Sequence, residues 1–358
     1  MRPEGIIRIA TFDAGLSRKG PGLLLQDIAR GKDPAIAAAI RVIARTDPDV
    51  LLLTGIDFDH SLAALTALQA RLAKAGAGYP FRFAYPPNSG VPSGCDLDGD
   101  GRRNGPRDAQ GYGRFPGQGG MVLLSRLPVD SAASRDFSSL LRRDLPGADM
   151  GHLPADACAR AVLRLSTTGH WDVVLTTPRG PLHLFAFSAT PPVFDGPEDR
   201  NGRRNHDETA FWLRYLDGLL PVPPPSGPFV ILGNANLDPA DGDGRRDAIR
   251  ALLADPRLQD PRPASAGGAR AGSPDQSGDP ARDTADWSEA GGPGNLRVDY
   301  VLPSASLTVA GAGVFWPAPG APGAEAATRA GPHRLVWVDL SLTAPPPPAP
   351  QGRAGKSP

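Results

Sequence analysis

Short apolar runs typical of β-strands outnumber helical segments in this chain, and they are spread over almost its whole length. The predicted strands are Ile6–Phe12, Val50–Leu53, Met121–Leu124, Ala161–Leu165, Val173–Thr177, Leu182–Phe187, Phe229–Gly233, Val298–Leu302, Leu307–Phe315 and Leu335–Leu342. The predicted helices are Pro34–Arg45, Ser61–Lys74, Asp207–Leu220 and Ala248–Leu253. Because the connections between the strands vary, this order argues against a simple doubly wound sheet and favours two packed sheets flanked by helices.

A chain of 358 residues is long enough for two ordinary domains or for one large domain. The distribution of strands favours one domain over residues 1–343. Residues 256–294 are rich in Gly and Pro and predict a long, disordered insertion loop. Residues 344–358 are rich in proline and small polar residues, which cannot build a core, and predict a disordered tail.

Charge and cysteine content restrict the function classes. The chain has 38 basic and 38 acidic residues, so no global field attracts it to nucleic acid or to an anionic membrane. Cys95 and Cys158 lack metal-ligand spacing; they could pair, but free buried thiols are the favoured interpretation. No apolar run reaches the roughly 18–20 residues of a membrane span. No signal-peptide pattern is visible, so the expected protein is soluble, and periplasmic or extracellular only if the sequence starts at a mature terminus.

The segment Asn295-Leu-Arg-Val-Asp-Tyr300 and the later Gly331-Pro-His-Arg334 indicate a carboxylate beside an imidazole. A strand that carries Asp299 and a strand that opens after His333 can bring the two side chains to one rim of a sheet. A carboxylate in that place orients a histidine for phosphoryl chemistry.

Three long runs make the resemblance specific: 190–202 (TPPVFDGPEDRNG), 294–304 (GNLRVDYVLPS) and 334–339 (RLVWVD). With the order of strands, they resemble the endonuclease/exonuclease/phosphatase superfamily, the DNase I-like proteins, and most of all a bacterial subgroup. The resemblance implies an α+β fold in which two mixed sheets and flanking helices form a four-layer sandwich. It also implies hydrolysis of a phosphate ester or nucleic acid, assisted by a divalent ion, usually Mg²⁺.

The resemblance implies a metal-binding side built by the first two strands, and both motifs differ here. Asp13 replaces an asparagine in the first strand, and a carboxylate is still an acceptable ligand. Gly55 replaces the metal-binding glutamate of the second strand and offers no ligand. Asp57 could rescue metal binding only if the backbone path shifted.

The positions that handle protons are changed as well. Ser188 replaces a histidine, Asn234 replaces the aspartate that acts on the nucleophile, and Pro332 replaces a second aspartate. Neither a serine hydroxyl nor an amide changes its protonation near neutral pH. His333, its orienting residue Asp299, and Asn236 are retained. His183 is expected to be a structural histidine, because strand alternation places it opposite Ser188.

The loop that contains Asp96, Asp98 and Asp100 has oxygens at the alternate spacing of a calcium loop and a glycine at its sixth position. Position 12 is Arg107 instead of an acid, although Asp108 follows. The loop is therefore a candidate Ca²⁺ site, and solvated Asp-Gly turns are the alternative interpretation.

Three functional hypotheses remain. The first is a pseudoenzyme that keeps the fold as a binding or scaffolding module, with a protein partner that the sequence does not name. The second is an active divalent-metal hydrolase with a rearranged set, Asp13, Asp57, Asn236 and His333. The third is a chain whose catalytic positions were altered deliberately.

Overall fold

We describe the protein from a computed structural model, which defines residues 3, 5–151, 157–288 and 292–342. The strands are β1 (Ile6–Leu16), β2 (Val50–Ile56), β3 (Phe81–Phe83), β4 (Gly120–Ser125), β5 (Val129–Asp136), β6 (Gly169–Thr177), β7 (Gly180–Ser188), β8 (Phe229–Asn234), β9 (Ala285–Trp287), β10 (Gly294–Leu296), β11 (Asp299–Pro303), β12 (Thr308–Val314) and β13 (Val336–Ser341). The helices are α1 (Leu23–Arg30), α2 (Pro34–Thr46), α3 (Ala63–Lys74), α4 (Ala157–Val162), α5 (Arg200–Leu216), α6 (Asp247–Ala254), α7 (Gly268–Ala271) and α8 (Ala324–Arg329). None of the helices in these ranges has the length and apolarity that crossing a bilayer requires.

Two mixed sheets form the centre of the fold. The first has the order β12-β13-β1-β2-β4-β3, and the second has the order β11-β8-β7-β6-β5. In the first sheet, β1 runs parallel to β2 and antiparallel to β13. In the second, β8 runs parallel to β7 and antiparallel to β11. The predicted α+β class and the two-sheet architecture are confirmed.

Strand β2 shows why the sheets stack. Its residues from Val50 to Leu53 are completely buried, although their side chains point alternately to opposite faces. Leu51 and Leu53 pack under the helices, whereas Val50 and Leu52 pack against the second sheet. A third apolar cluster lies between the second sheet and α5. The three clusters fill the three interfaces of a four-layer sandwich, as predicted.

Asp-based caps fix where two helices of the outer layer begin. The Asp33 carboxylate accepts hydrogen bonds from the backbone amides of Ala35 and Ile36, and Pro34 occupies the first turn of α2. The Asp59 carboxylate accepts from the amides of Ala63 and Ala64 at the start of α3. Asp59 therefore stabilises a helix end.

Two sequence predictions are corrected here. Residues 161–165 were predicted as a strand, but α4 ends at Val162 and an irregular segment follows. Ala159 and Leu163 are four residues apart and pack in one small cluster, which is a helical spacing that the short apolar run concealed. Cys95 and Cys158 are not free thiols: they form a disulfide with Cα atoms 6.0 Å apart. Their sequence separation of 63 residues gave no sign of this proximity.

Residues 256–288 and 292–294, the described part of the predicted disordered insertion, contain α7, a 3₁₀ turn at Pro280–Arg282, β9 and the first residue of β10. Asp260 pairs with the Arg297 guanidinium through both carboxylate oxygens, at 2.6 and 2.8 Å. Such contacts order a segment whose composition resembles that of a flexible loop. The predicted tail, 344–358, lies outside the described residues.

Candidate functional site

Strand ends from both sheets converge on one cleft of about 640 Å³. In the first sheet Asp13 is paired in register with Thr54, next to Gly55. In the second sheet Asn234 is paired with both Ser188 and Asp299. Asp13, Gly55, Ser188, Asn234 and Asn236 all line this cleft. Sequence positions that are more than 200 residues apart are therefore brought together as the resemblance implied.

His333 and Asp299 form the expected pair just behind this floor. The His333 Nδ1 lies 2.8 Å from Asp299 Oδ2, and His333 is only 7% exposed. The Thr284 hydroxyl donates to the same carboxylate oxygen at 3.0 Å, and the Trp287 ring meets the imidazole edge-on. Residues of the predicted insertion loop therefore form the back wall of this pair, which the sequence did not indicate.

The electrostatics of the pair favour a protonated imidazole. Burial disfavours the charged form, but the Asp299 and Asp13 carboxylates outweigh it and raise the pKa of His333 to about 9. Burial raises the pKa of Asp299, and the charge of His333 opposes that rise. Asp299 Oδ1 is buried without a hydrogen-bond partner among the described residues. At neutral pH this histidine holds its proton, so it is a poor general base.

Asp13 occupies the space that a side chain at position 55 would need. A Cβ added to Gly55 would lie 2.3 Å from Asp13 Oδ1 and 3.0 Å from Oδ2. The φ angle of Gly55 is +63°, in the left-handed region that other residues avoid. The Asp13 carboxylate is held in place by the Gly15 amide at 3.0 Å. A glutamate at position 55 would therefore strain this backbone and require the Asp13 side chain to move.

Asp57, named as a possible rescuing ligand, does not line the cleft. Its Oδ1 accepts from the amide of Gly119 at 3.0 Å, and its Oδ2 accepts from the amide of Arg18 at 2.8 Å. Burial raises the pKa of this carboxyl, which is 8% exposed. Asp57 fixes two loops to each other, and its role as a metal ligand stays a prediction.

The retained and altered amides of the cleft take part in local structure. Asn234 Oδ1 accepts from the amide of Asn236 at 2.7 Å, and the Asn236 carboxamide donates to the Ala189 carbonyl at 2.8 Å. The hydroxyl of Ser188 belongs to the same floor. None of these side chains exchanges a proton near neutral pH, so the floor offers polar contacts without acid–base chemistry.

The donor set does not fit the Mg²⁺ that the resemblance implies. Among the residues that line the cleft, Asp13 carries the only carboxylate. Gly55 offers no side-chain oxygen, and Asp57 is not among the lining residues. One carboxylate among amides and hydroxyls is a poor set for a hard divalent cation. We therefore derive no reaction step through a metal.

Four arginines, by contrast, line the wall of the cleft: Arg107, Arg142, Arg200 and Arg204. Arg142 is buried against Asp207, with Nε 2.7 Å from the carboxylate. Burial lowers the pKa of Arg204 to about 10, so it remains charged at neutral pH. Arg200 donates to the Leu97 carbonyl, and Arg107 is exposed with no hydrogen bond or ion pair to a described residue. Positive charge on this wall is therefore not fully compensated.

The candidate calcium loop differs in one member from the sequence prediction. Carboxylate oxygens of Asp96, Asp98 and Asp108 lie within 4.8 Å of one another, whereas Asp100 is not part of this group. Asp100 accepts from the Arg102 amide and stabilises its own turn. Asp108 takes its place because the loop folds back, and its oxygens also accept from the Leu97 and Gly105 amides. Calcium binding here stays a prediction.

The contacts of His183 are those of a histidine within the sheet, and its expected structural role stays a prediction. Its Nδ1 lies 2.7 Å from Asp172 Oδ1 on the neighbouring strand, and it does not line the cleft.

Two sheets, their helical covers and the convergent strand ends define a DNase I-like scaffold. The model of the Endonuclease/Exonuclease/phosphatase family matches residues 24–337, and the chain belongs to this family. Enzymes of the family generally act on phosphate esters or nucleic acids and depend on divalent metals. No curated protein matches the sequence.

Solved structures share the fold at low sequence identity. An endonuclease/exonuclease/phosphatase from Beutenbergia cavernae DSM 12333 is similar with a TM-score of 0.54 and 18% identity, over 95% of this chain and 72% of that one. A family protein from Leptotrichia buccalis C-1013-b gives 0.51 and 13%, over 93% and 99%. Sphingomyelinase C from Streptomyces griseocarneus gives 0.50 and 15%, over the same shares. At these identities the similarity supports the fold alone.

Proposed function

We propose that this protein is an inactive member of its family that binds a phosphate-bearing anion in the cleft without hydrolysing it. The contact between Asp13 and the backbone of Gly55 carries the proposal. Where the family places its metal-binding glutamate, this chain has a left-handed glycine and a carboxylate packed against it. A ligand side chain at this position would require a strained backbone and a displaced Asp13 carboxylate.

The loss of proton-transfer groups supports the same conclusion. Asn234 and Ser188 cannot take or give a proton near neutral pH, and His333 keeps its proton beside two carboxylates. Removing even one donor that stabilises a transition state lowers a rate by about 10²–10³. Losing the metal anchor and the base together leaves little catalysis.

The charge of the wall supports anion binding. Arg107 and Arg200 reach the cleft without carboxylate partners among the described residues, and Arg204 also lines it. A guanidinium binds a phosphate through charge-assisted hydrogen bonds, often two at a time. The amides of Asn201, Asn234 and Asn236 add neutral polar groups. The cleft therefore has groups that can bind a phosphate and lacks the groups that would hydrolyse its ester.

The alternative function, a divalent-metal hydrolase that uses Asp13, Asp57, Asn236 and His333, needs these residues to share one ion. The carboxylate of Asp57 is engaged by two loop amides outside the cleft lining. That geometry favours the proposed anion-binding function over metal-dependent hydrolysis.

The test combines metal calorimetry, hydrolysis of a chromogenic phosphodiester, and binding of inorganic phosphate and pyrophosphate in EDTA. We expect no hydrolysis above the buffer rate with Mg²⁺ or Mn²⁺. We expect phosphate and pyrophosphate to bind without metal, with an affinity that falls as salt rises.

The matched variants are Arg107→Gln and Arg102→Gln, which change two exposed arginines of one loop. Arg107 lines the cleft and Arg102 does not. Arg107→Gln should weaken pyrophosphate binding about tenfold, and Arg102→Gln should leave it unchanged. Magnesium-dependent hydrolysis that His333→Ala abolishes would contradict the proposal, and so would equal effects of the two arginine variants.

The Cys95–Cys158 disulfide supports residence in an oxidising compartment, the periplasm or the cell exterior, because cytosolic glutathione and thioredoxin keep such thiols reduced. Thiol titration of protein isolated under denaturing conditions from fractionated cells tests this; free thiols throughout would contradict it. A protein partner of the module stays a prediction.

A further inference from the structure

A histidine outside the cleft lies between two carboxylates that belong to different helices. His206 is in α5, and its Nδ1 lies 3.2 Å from Oδ1 of Asp207 in the same helix. Its Nε2 lies 3.1 Å from Oδ2 of Asp247, the first residue of α6. An ionised carboxylate only accepts hydrogen bonds, and a neutral imidazole has a single N–H. Both contacts are therefore hydrogen bonds only when the ring is a charged imidazolium.

The surroundings of His206 favour this charged form. The hydrogen bond to Asp207 raises the pKa of His206, burial opposes the rise, and the charges of Asp247 and Asp207 add to it. Arginines on the adjoining elements bind other groups, either the Asp149 carboxylate or backbone carbonyls: Arg203, Arg245, Arg246 and Arg250. The ring therefore faces two negative groups, and the neighbouring cations have partners of their own.

Asp207 connects this histidine to the wall of the cleft. Its Oδ2 accepts from Arg142 Nε at 2.7 Å, and Arg142 lines the cleft. The same carboxylate accepts from the amide of Asp149 at 3.1 Å, and the Asp149 carboxylate binds Arg245, which lies just before α6. These contacts join three parts of the chain behind the wall. His206 is the member of the network whose charge changes near neutral pH, since the others are arginines and aspartates.

We propose that His206 is a pH-sensitive link that fastens α6 to α5 while its ring is charged and releases α6 when the ring gives its proton to solvent. After deprotonation one ring nitrogen presents a lone pair to a carboxylate, and that contact becomes repulsive. The buried Asp207 cannot be solvated, whereas Asp247 is exposed to water. The remaining proton therefore stays on Nδ1, and the contact with Asp247 is the one that is lost.

The direction of the pH dependence follows from the raised pKa. The ordinary value for a histidine is 6.5, and the value for His206 in the folded protein is higher. The link is therefore fully present below pH 6.5 and is lost as the pH rises through the pKa of the folded state. The inference does not depend on what the cleft binds.

The experiment uses NMR on the full-length protein, in the absence of any ligand, over about pH 5 to 9. Ring signals of His206 give its pKa, and hydrogen exchange gives the protection factors of the α6 amides, which correct for the intrinsic effect of pH on exchange. We expect the ring to titrate above 6.5. The α6 protection factors should fall by about two- to fivefold over the same titration, which is the effect typical of one exposed ion pair.

Two variants remove the link from opposite sides. His206→Gln has no titrating ring, and Asp247→Ala removes an exposed carboxylate, so the fold should tolerate it. In both variants we expect α6 protection to be independent of pH, and in Asp247→Ala the pKa of His206 should be lower than in the wild type. The matched control is His60→Gln, which changes an exposed histidine and should keep the wild-type pH profile.

Three results would overturn the inference. The first is a His206 ring that titrates at or below its ordinary value. The second is α6 protection that falls with pH equally in the wild type and in His206→Gln. The third is a fall that persists unchanged in Asp247→Ala. Because no phosphate is added, these outcomes are read independently of whether the cleft binds an anion.

Discussion

The floor and the wall of the cleft differ in how their charged groups are paired. On the floor and directly behind it, charges compensate one another: Asp13 lines the floor, and the His333–Asp299 pair lies behind it. On the wall, Arg107 and Arg200 face the cleft without carboxylate partners in the described ranges. The difference teaches that retention of a catalytic residue can have a structural reason. His333 neutralises a buried carboxylate, which is sufficient cause for its presence without any turnover.

This contrast predicts a separation of effects: substitutions on the floor change stability, and substitutions on the wall change binding.

The largest effect is expected for His333→Ala. It leaves the buried Asp299 carboxylate without its charged partner, which typically costs about 3–5 kcal/mol of unfolding free energy. Denaturant unfolding gives the value, and His60→Ala, which changes an exposed histidine, is the comparison. Pyrophosphate affinity should remain unchanged at temperatures where the variant is folded, since His333 does not line the cleft. A loss of binding without a loss of stability would reverse the assignment of floor and wall.

The disulfide anchors a loop that forms part of the wall. The double variant Cys95→Ser/Cys158→Ser should therefore lower both the stability of the protein and its affinity for pyrophosphate. Cys95 lies on the loop that carries Arg107 and Tyr112, and Cys158 lies in α4. Loss of the bond should lower the unfolding free energy by about 2–4 kcal/mol. Pyrophosphate affinity should fall as well, because the loop loses an anchor. Calorimetry and thermal unfolding check both outcomes, and reduction of the wild type should reproduce them. Unchanged affinity would show that the loop is held by its other contacts.

A smaller loss of stability, about 2 kcal/mol, is expected for Gly55→Glu because a left-handed backbone and a close carboxylate oppose it. The substitution should not restore magnesium-dependent hydrolysis. Adding Asp13→Asn should recover part of the stability, because it removes one of two negative charges that would repel each other. A chain reverted at four positions (Gly55→Glu, Ser188→His, Asn234→Asp and Pro332→Asp) with Asp13→Asn tests whether the scaffold itself supports hydrolysis. Full stability of Gly55→Glu alone would contradict the steric account of the floor.

The smallest effect is a dependence of stability on pH. The pKa of His333 is raised to about 9 from its ordinary value of 6.5, so the charged pair stabilises the folded state fully below pH 6.5. That contribution is lost as pH rises towards 9. Unfolding free energies across this interval should fall for the wild type, and the fall should be smaller in His333→Gln. If the unfolding free energies of both proteins fell equally with pH, groups other than His333 would be responsible for the pH dependence.

Much of the fold could be predicted from strongly apolar strands. The runs of β2 and β8 are buried on both faces, so their composition alone identified them. Strand β5 was missed because it is a solvent-exposed edge with no apolar alternation. The short strand β9 was missed because three residues are too few to show an alternating apolar pattern.

The altered positions of the site could be predicted because they fall within motifs that the resemblance located, Gly55 and Asn234 among them. The structural consequences of these altered positions could not be predicted. No sequence pattern states that Asp13 fills the space at position 55, or that the Asp57 carboxylate is engaged by loop amides.

The backbone of residue 55 has a consequence for descent. A single codon change that restored glutamate would weaken the protein before it brought any benefit, because the neighbouring aspartate already fills that volume. Metal binding through a side chain at position 55 is therefore expected to need space made at residue 13 as well as the new side chain itself.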